Sequence, residues 1–341
     1  MKPHTLVLLL LLAFPCVLCP RVLANGDREK QDKDTLIDGL LAREAALRSG
    51  TFVFQYGTMV VKEYDKGQPW PWRQGETPHV AELTIADEEW ILRWPKTPLF
   101  SMYRSDFSTV YNVTEQPGGR PTYRSLVFTG PGGICESLEK EGESNPLFCV
   151  TKGGTVPTRK WAVFLKKNRD RIEHLGEKTV NGTKTQRLQI RVLKEEFPQI
   201  VSGIHPDYLK RDAMLISFDV APSLGHAVVR IEKTTPEGDV TDRYEAAGFS
   251  EAAPGLFFPK HHCTIGDFTR NDRGYYITQY IVSEIKNVNK PVPESAFVVS
   301  VPKGTRVRDS RPGRNNAVFH IDQDVTFSKA DEFFRKAAAP R

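Results

Sequence analysis

The chain has 341 residues, of which 39% are hydrophobic, enough to build a folded core and to exclude a globally disordered chain. Its 24 prolines and 25 glycines are spread along the sequence, which favours many short strands and turns over long helices. The formal net charge of +5, on a chain with 26% charged residues, is a small surplus that argues against nucleic acid as a main partner.

An apolar N-terminal segment predicts export. The run Leu6–Cys19 spans 14 residues without a charge, and Val22–Ala24 then offers small or apolar residues for cleavage. This pattern is typical of a secretory signal peptide over residues 1–24, and it places the mature chain in the periplasm or outside the cell. The run is short for a membrane span and contains Pro15; a retained anchor is the alternative. Cleavage would lower the net charge to +3, because Lys2 and Arg21 are removed with no acidic residue.

Three cysteines would remain in the exported chain: Cys135, Cys149 and Cys263. In an oxidising compartment Cys135 and Cys149 are candidates for a disulfide that closes a short loop, and two free buried thiols are the alternative. Cys263 is then the unpaired cysteine.

The predicted elements begin with a helix. Residues 25–33 are polar and expected to be flexible, and the next apolar residues recur at helical spacing over residues 34–50. Asp34 is a suitable N-cap, and Gly50 is expected to end the helix. The apolar stripe of this helix comprises Leu36, Ile37, Leu40, Leu41, Ala45 and Leu47.

After Gly50 the period changes to two, which predicts strands in "TFVFQYGTMVVKEY", "AELTIADEEWILRWP", "LFSMYRSDFSTVYNV" and "TYRSLVFTG". Residues 158–176 return to helical spacing, with Trp161, Ile172 and Leu175 on the apolar side and basic residues between them. This segment predicts an amphipathic helix or helix pair, packed on the sheet or lying on a membrane surface.

Strands resume after residue 176, beginning with a hairpin at Asn181-Gly182. At least ten strands joined by short links predict an antiparallel sheet with one buried and one wet face. Residues 310–341 are expected to add one strand and a short helix and then to fray, and residues 321–341 are expected to form a C-terminal tail outside the main domain.

The stretch "LFFPKHHCT" places His261, His262 and Cys263 side by side. On a strand His261 and Cys263 share one face while His262 takes the other, so at most two of them can bind one zinc ion. Further ligands would have to come from His79, His174, His205, His226 or His320, and none of these stands in an HExxH, CxxC or HxH arrangement. The sequence also has no G-x-S-x-G nucleophile elbow. An ordinary strand is therefore favoured, with His262 at solvent or a sheet edge and Cys263 packed as a small apolar side chain.

Aromatic side chains are abundant, with 19 Phe, 10 Tyr and 5 Trp, and many of them alternate along the predicted strands. A sheet with one aromatic face must cover that face, and either helices or an apolar ligand can do so.

Several short motifs resemble the periplasmic lipoprotein-carrier superfamily (LolA, LolB and RseB-like proteins), particularly the secreted members common in planctomycete-type bacteria. They are the aromatic strand "GTFVFQYGTMVVKE" after the first helix, then "GFSEAAPGLFFPKHH", and finally "EIKNVNKPVPESAFVVSVPKGTRVRD". The resemblance implies an α+β fold in which a large curved antiparallel sheet, an unclosed half-barrel over residues 34–320, wraps over a few helices around an apolar cavity. In this superfamily carriers bind acyl chains and RseB-like members act as sensors, with no shared catalytic machinery.

The sequence and the resemblance together favour a non-enzymatic exported protein that binds a lipid or acyl chain, as a carrier or an envelope sensor. No cofactor or metal is expected; a lipid or lipidated protein is the expected partner, with peripheral membrane contact and a monomeric chain. Two alternatives stay open: a metal-dependent hydrolase using His261 and Cys263, and an interaction module with a solid core. The expected lining of the apolar cavity is Phe52, Phe54, Tyr56, Trp90, Leu92, Trp94, Tyr276 and Tyr280.

Overall fold

A computed structural model describes residues 25–61, 79–87, 89–105, 107–114, 123–129, 159–196, 212–267 and 275–337. The predicted signal peptide and the candidate disulfide pair, Cys135 and Cys149, lie outside these ranges. The helices are α1 (Asn25–Ala46), α2 (Arg159–Lys167) and α3 (Ala330–Ala337). The strands are β1 (Ser49–Val61), β2 (His79–Ala86), β3 (Glu89–Arg93), β4 (Phe100–Tyr103), β5 (Ser108–Thr114), β6 (Tyr123–Thr129), β7 (Ile172–Val180), β8 (Thr183–Leu193), β9 (Ala213–Ala221), β10 (Ala227–Thr234), β11 (Val240–Ala253), β12 (Leu256–Asp267), β13 (Tyr275–Lys286), β14 (Val299–Val301), β15 (Arg306–Ser310), β16 (Ala317–His320) and β17 (Val325–Phe327).

Fifteen of the strands form one sheet in the order β16-β15-β6-β5-β4-β3-β2-β1-β13-β12-β11-β10-β9-β8-β7. Two meanders, β1–β6 and β7–β13, meet where β1 pairs with β13. The two ends of this order do not pair with each other, so the predicted large unclosed half-barrel is confirmed. The sheet is mixed rather than purely antiparallel, because β15 pairs with β6 in parallel. The chain forms β14 before it returns to that edge as β15. Because no hairpin joins β6 to β15, the two strands can pair in parallel.

The first helix differs at both ends from the sequence prediction. It begins at Asn25, inside the segment expected to be flexible, and it ends at Ala46. Gly50 does not end the helix; it pairs with Ile85 in the ladder between β1 and β2. Backbone pairing of β1 with two neighbouring strands therefore decides where the helix ends.

Helices α1 and α2 cover one face of strands β8–β11, which we call the inner face of the sheet. Trp161 of α2 packs edge-on against Phe218 of β9, with ring centroids 4.8 Å apart. The apolar side of α2 is thus used for packing on the sheet. Ile172 and Leu175, predicted on this helix, lie on β7 instead, because Ile172 already pairs with Ile190 of β8. This helix-side cluster contains Leu36, Ile37, Leu40, Trp161, Ala162, Leu165, Leu188, Ile190, Met214, Ile216, Phe218, Ile231, Tyr244 and Ala246.

The opposite, outer face of β3–β6 is also buried, contrary to the expectation of one wet face. A two-stranded sheet of β14 and β17 packs there together with α3. Phe128 of β6 contacts Phe333 of α3 at 4.8 Å between ring centroids. The expected domain end at residue 320 therefore falls inside a continuous core that includes Ile321, Val325, Phe327 and Phe333.

On β8–β12 the outer face carries charged side chains in pairs. Arg187 donates two hydrogen bonds to Asp219, at 2.7 and 2.6 Å. Arg243 pairs with Glu232 at 2.6 Å on the neighbouring strands. Cross-strand pairing of opposite charges lets a polar face be buried without leaving a charge uncompensated. Among the described residues, no helix has the length and apolar character needed to cross a bilayer.

Candidate ligand-binding site

A row of rings crosses the inner face where the two meanders meet. We call it the inner aromatic row: His79, Tyr56, Tyr280, His262 and Tyr244, from β2, β1, β13, β12 and β11. Directly paired residues on antiparallel strands share a face, so Tyr56 opposite both His79 and Tyr280 brings the three rings together. The period-two pattern of each strand thus becomes a continuous aromatic surface only through strand pairing.

The rings of this row are in contact from one strand to the next. Centroids are 5.3 Å apart for His79 and Tyr56, 5.9 Å for Tyr56 and Tyr280, and 4.5 Å for Tyr280 and His262. His262 and Tyr280 are stacked at an interplanar angle of 12°, and Tyr244 follows at 5.8 Å from His262. Ring contacts at these distances stabilise the row beyond simple area burial.

Trp94 extends this surface from the end of β3. Its indole Nε1 donates a hydrogen bond of 2.7 Å to the Tyr56 hydroxyl. Tyr56, Trp90 and Trp94 are each partly exposed and pack against the buried rings beside them. Part of the inner face therefore presents aromatic rings that can still contact another molecule.

The residues expected to line an apolar cavity divide into two groups. Phe52 and Phe54 are each only 2% exposed, and Leu92 and Tyr280 are buried beside them. Tyr56, Trp90 and Trp94 keep exposed area, and Tyr276 lies on β13 with a side chain outside the described part of the structure. The buried members belong to what we call the central cluster: Leu47, Phe52, Phe54, Ala81, Leu83, Ile85, Leu92 and Tyr280.

His262 lies at a different place from the one expected. It was expected at solvent or a sheet edge, but it is 4% exposed because β12 is an interior strand and its inner face is covered. Neither ring nitrogen has a hydrogen-bond partner in the described structure. Burial lowers the pKa of His262 to about 3, so the imidazole is neutral at physiological pH.

His261 and Cys263 share the outer face of β12, as expected, but they do not form a metal centre. His261 is exposed and Cys263 is 8% exposed. Burial raises the pKa of Cys263 to about 12, which keeps it a thiol at neutral pH. Within the described ranges no three His, Cys, Asp or Glu side chains come together as a metal site. The outer face at β12 therefore offers neither a thiolate nucleophile nor a third ligand from described residues.

Arg43, which is not among the predicted site residues, lies on α1 above the inner face. Its guanidinium is 5.4 Å from the centre of the Phe258 ring, and that ring is 5.1 Å from Phe52. Its Nη2 donates to the carbonyl oxygen of Phe257, while Nη1 is buried without a hydrogen-bond partner. Burial lowers the pKa of Arg43, and the nearby Tyr244 and Glu44 oppose that shift.

A sequence signal for Arg43 existed. It occurs at helical spacing with Leu36, Leu40 and Leu47, so it is a cation on the apolar stripe of α1. His226 stands close by: a side chain added at Gly39 would lie 2.3 Å from its ring. Burial lowers the pKa of His226, and the charge of Arg43 lowers it further. Two basic groups therefore approach the inner face from the same side.

No family model matches the chain, and no curated protein matches its sequence significantly. Solved structures do match. A domain assigned to outer-membrane lipoprotein sorting, from Vibrio parahaemolyticus, matches at TM-score 0.40 and 10% identity over 78% of this chain and 97% of its own. A LolA superfamily protein from Nitrosomonas europaea matches at TM-score 0.36 and 8% identity, over 78% and 96%. A DUF1329 family protein from Desulfovibrio piger matches at TM-score 0.39 and 10% identity, over 77% and 96%.

Proposed function

We propose that this chain is an exported, non-enzymatic protein that binds a lipid or acyl chain against the partly exposed rings of the inner face, as a carrier or an envelope sensor. The observation that supports this is the partly exposed aromatic surface of Tyr56, Trp90 and Trp94 on the inner face. Export is proposed from residues 1–24, with a monomer as the acting form and a lipid or lipidated protein as its partner.

The chemistry of this surface suits an acyl chain. Aromatic rings give a methylene chain a large apolar contact area. Burial of one methylene group contributes about 0.8 kcal/mol, so ten buried methylenes give roughly 8 kcal/mol before the entropic cost of binding. The Trp94–Tyr56 hydrogen bond satisfies the polar atoms of both side chains, so their rings can face an apolar ligand.

A solid-core interaction module is the second candidate. The tight packing of Phe52 and Phe54, each 2% exposed, favours it for the central cluster. If the remaining rings of the inner face were filled in the same way, no ligand would have room to bind.

Binding of the neutral apolar fluorophore N-phenyl-1-naphthylamine, together with native mass spectrometry of chain purified from a bacterial periplasm, tests the proposal. We expect saturable fluorophore binding and an extractable mass excess of several hundred daltons in the wild type. The Tyr56→Ala/Trp94→Ala double variant should bind the fluorophore about tenfold more weakly, since it loses two aromatic contact surfaces.

Tyr123→Ala is the matched control. Tyr123 is a tyrosine of β6 that is 40% exposed and lies outside the inner aromatic row. The affinity of Tyr123→Ala for the fluorophore should stay within about twofold of the wild-type affinity. Unchanged binding by the double variant would place the ligand elsewhere. Absence of both fluorophore binding and a mass excess in the wild type would favour the solid-core module.

A further inference from the structure

Arg43 is a cation held against an apolar surface without an acidic partner. Arg43 is half-buried, and among the described residues it forms no ion pair, whereas Arg187, Arg230 and Arg243 on the outer face each pair with a carboxylate. Its Nη1 is buried and has no acceptor, while Nη2 donates only to a backbone carbonyl. A guanidinium in this state carries a desolvation cost that an anionic group on Nη1 would offset.

Burial lowers the pKa of Arg43 and the charge of Glu44 opposes that shift, but no described carboxylate forms an ion pair with its guanidinium. Glu44 is the nearest acidic neighbour along the helix, but its Oε1 accepts a hydrogen bond from the backbone amide of Ala162. His226, whose pKa is lowered by burial and by Arg43, is a further basic group at this position. Tyr244 also interacts electrostatically with Arg43. Burial raises the pKa of its phenol, so Tyr244 is neutral and provides no anion.

Arg43 also stands next to the proposed ligand surface. Its guanidinium lies over Phe258, which contacts Phe52 of the central cluster. Tyr244, the other neighbour, is the last ring of the inner aromatic row and contacts His262. A molecule that binds Arg43 with one end would therefore contact aromatic side chains with the part that follows.

We propose that the ligand is an amphiphile with an acidic head group, and that Arg43 binds this head group as an ion pair while the apolar tail lies on the partly exposed rings of the inner face, Phe258, Tyr56, Trp90 and Trp94. This inference rests on the proposed function and adds the charge of the ligand to it. A carboxylate and a phosphate share the required chemistry, since both accept hydrogen bonds from a guanidinium. A neutral amphiphile of the same chain length would leave Nη1 without a partner.

The test is displacement of N-phenyl-1-naphthylamine by three amphiphiles of equal chain length: hexadecanoic acid, hexadecyl phosphate and hexadecanol. For the wild type we expect at least one acidic amphiphile to bind about tenfold more tightly than the alcohol, and the comparison of acid with phosphate identifies the head group. Arg43→Met should remove this preference while fluorophore and alcohol still bind. Arg43→Lys should restore part of it, because the charge is kept but the planar fork of donors is lost.

Arg48→Met is the matched control, because it removes the same charge from an exposed position just after α1. It should keep the preference for acidic amphiphiles. Equal affinities for all three amphiphiles in the wild type, or an undiminished preference in Arg43→Met, would overturn the proposal. Failure of the wild type to bind the fluorophore at all is a different outcome, which refutes the proposed function itself. A cooperative urea transition of Arg43→Met, compared with that of the wild type, shows separately that this variant is folded.

Discussion

The buried imidazole of His262 makes the stability of this protein depend on pH in a way that one substitution should remove. The ring is stacked on Tyr280 at 4.5 Å and neither of its nitrogens has a partner. Protonation would place an unpaired charge between aromatic rings, so the native state resists it. His262→Phe keeps a planar ring at this position and removes the titrating group.

The size of this pH-dependent loss of stability follows from the difference between the pKa of His262 in the native state and its pKa in the unfolded state. The native pKa is lowered from 6.5 to about 3. Between these values the unfolded chain binds a proton that the native protein does not, so stability falls as the pH falls. From the unfolded pKa of 6.5 down to about pH 5 the loss is roughly 2 kcal/mol, at about 1.4 kcal/mol per pH unit.

Urea denaturation of wild type, His262→Phe and His261→Phe at about pH 7.5 and about pH 5 measures this loss. Wild type and His262→Phe share every other titrating group, so the difference between these two proteins isolates one histidine. Wild type and His261→Phe, whose substitution lies on the exposed face of the same strand, should lose roughly 2 kcal/mol more than His262→Phe. An equal loss in wild type and His262→Phe would refute a neutral buried His262.

Three further results are expected. Asp219→Ala removes both hydrogen bonds that Arg187 donates and leaves it only Glu232 at 3.9 Å; because Asp219 is 0% exposed we expect about 3 kcal/mol of destabilisation in urea denaturation. A change below about 1 kcal/mol would show that the pair is well hydrated. Phe333→Ala removes a ring that contacts both Phe128 and Phe327 and should cost about 3–5 kcal/mol, measured in the same way; a negligible cost would mean that α3 is not part of the core. Cys263 should resist a thiol reagent at neutral pH until the chain is unfolded, since burial raises its pKa to about 12, and peptide mapping after labelling checks this. Rapid labelling of Cys263 in the native protein would contradict its burial.

The unexpected burial of the outer face shows where pattern reasoning was incomplete. Alternation along β3–β6 predicted one wet face, yet Phe128 and Met102 on the outer face are buried. They are covered by β14, β17 and α3, which come from residues about 200 positions away in the chain, and a local pattern carries no information about such distant partners. The same long separation in sequence explains why residues 321–341 were predicted as a tail outside the domain.

The candidate site was predicted in part. Period-two spacing identified Tyr56 and Tyr280 as ring-bearing positions, and register brings them to 5.9 Å. Arg43 was missed because it reaches the inner face only through the packing of α1 on the sheet, and Tyr244 because it joins the row only through the pairing of β11 with β12. His262 was assigned to the wrong environment, because strand alternation gives the face of a residue and not what covers that face.

The sequence by itself determined the types of secondary structure. The apolar residues change from helical spacing to alternation after α1, and turn residues such as Asn181-Gly182 place the hairpins. Both effects can be predicted because they act between near neighbours in the chain. Only the tertiary structure decided which faces are buried and which polar groups lack partners. Those properties arise when β1 pairs with β13 and when α1 and α3 pack on opposite faces, which brings together residues that no local rule connects.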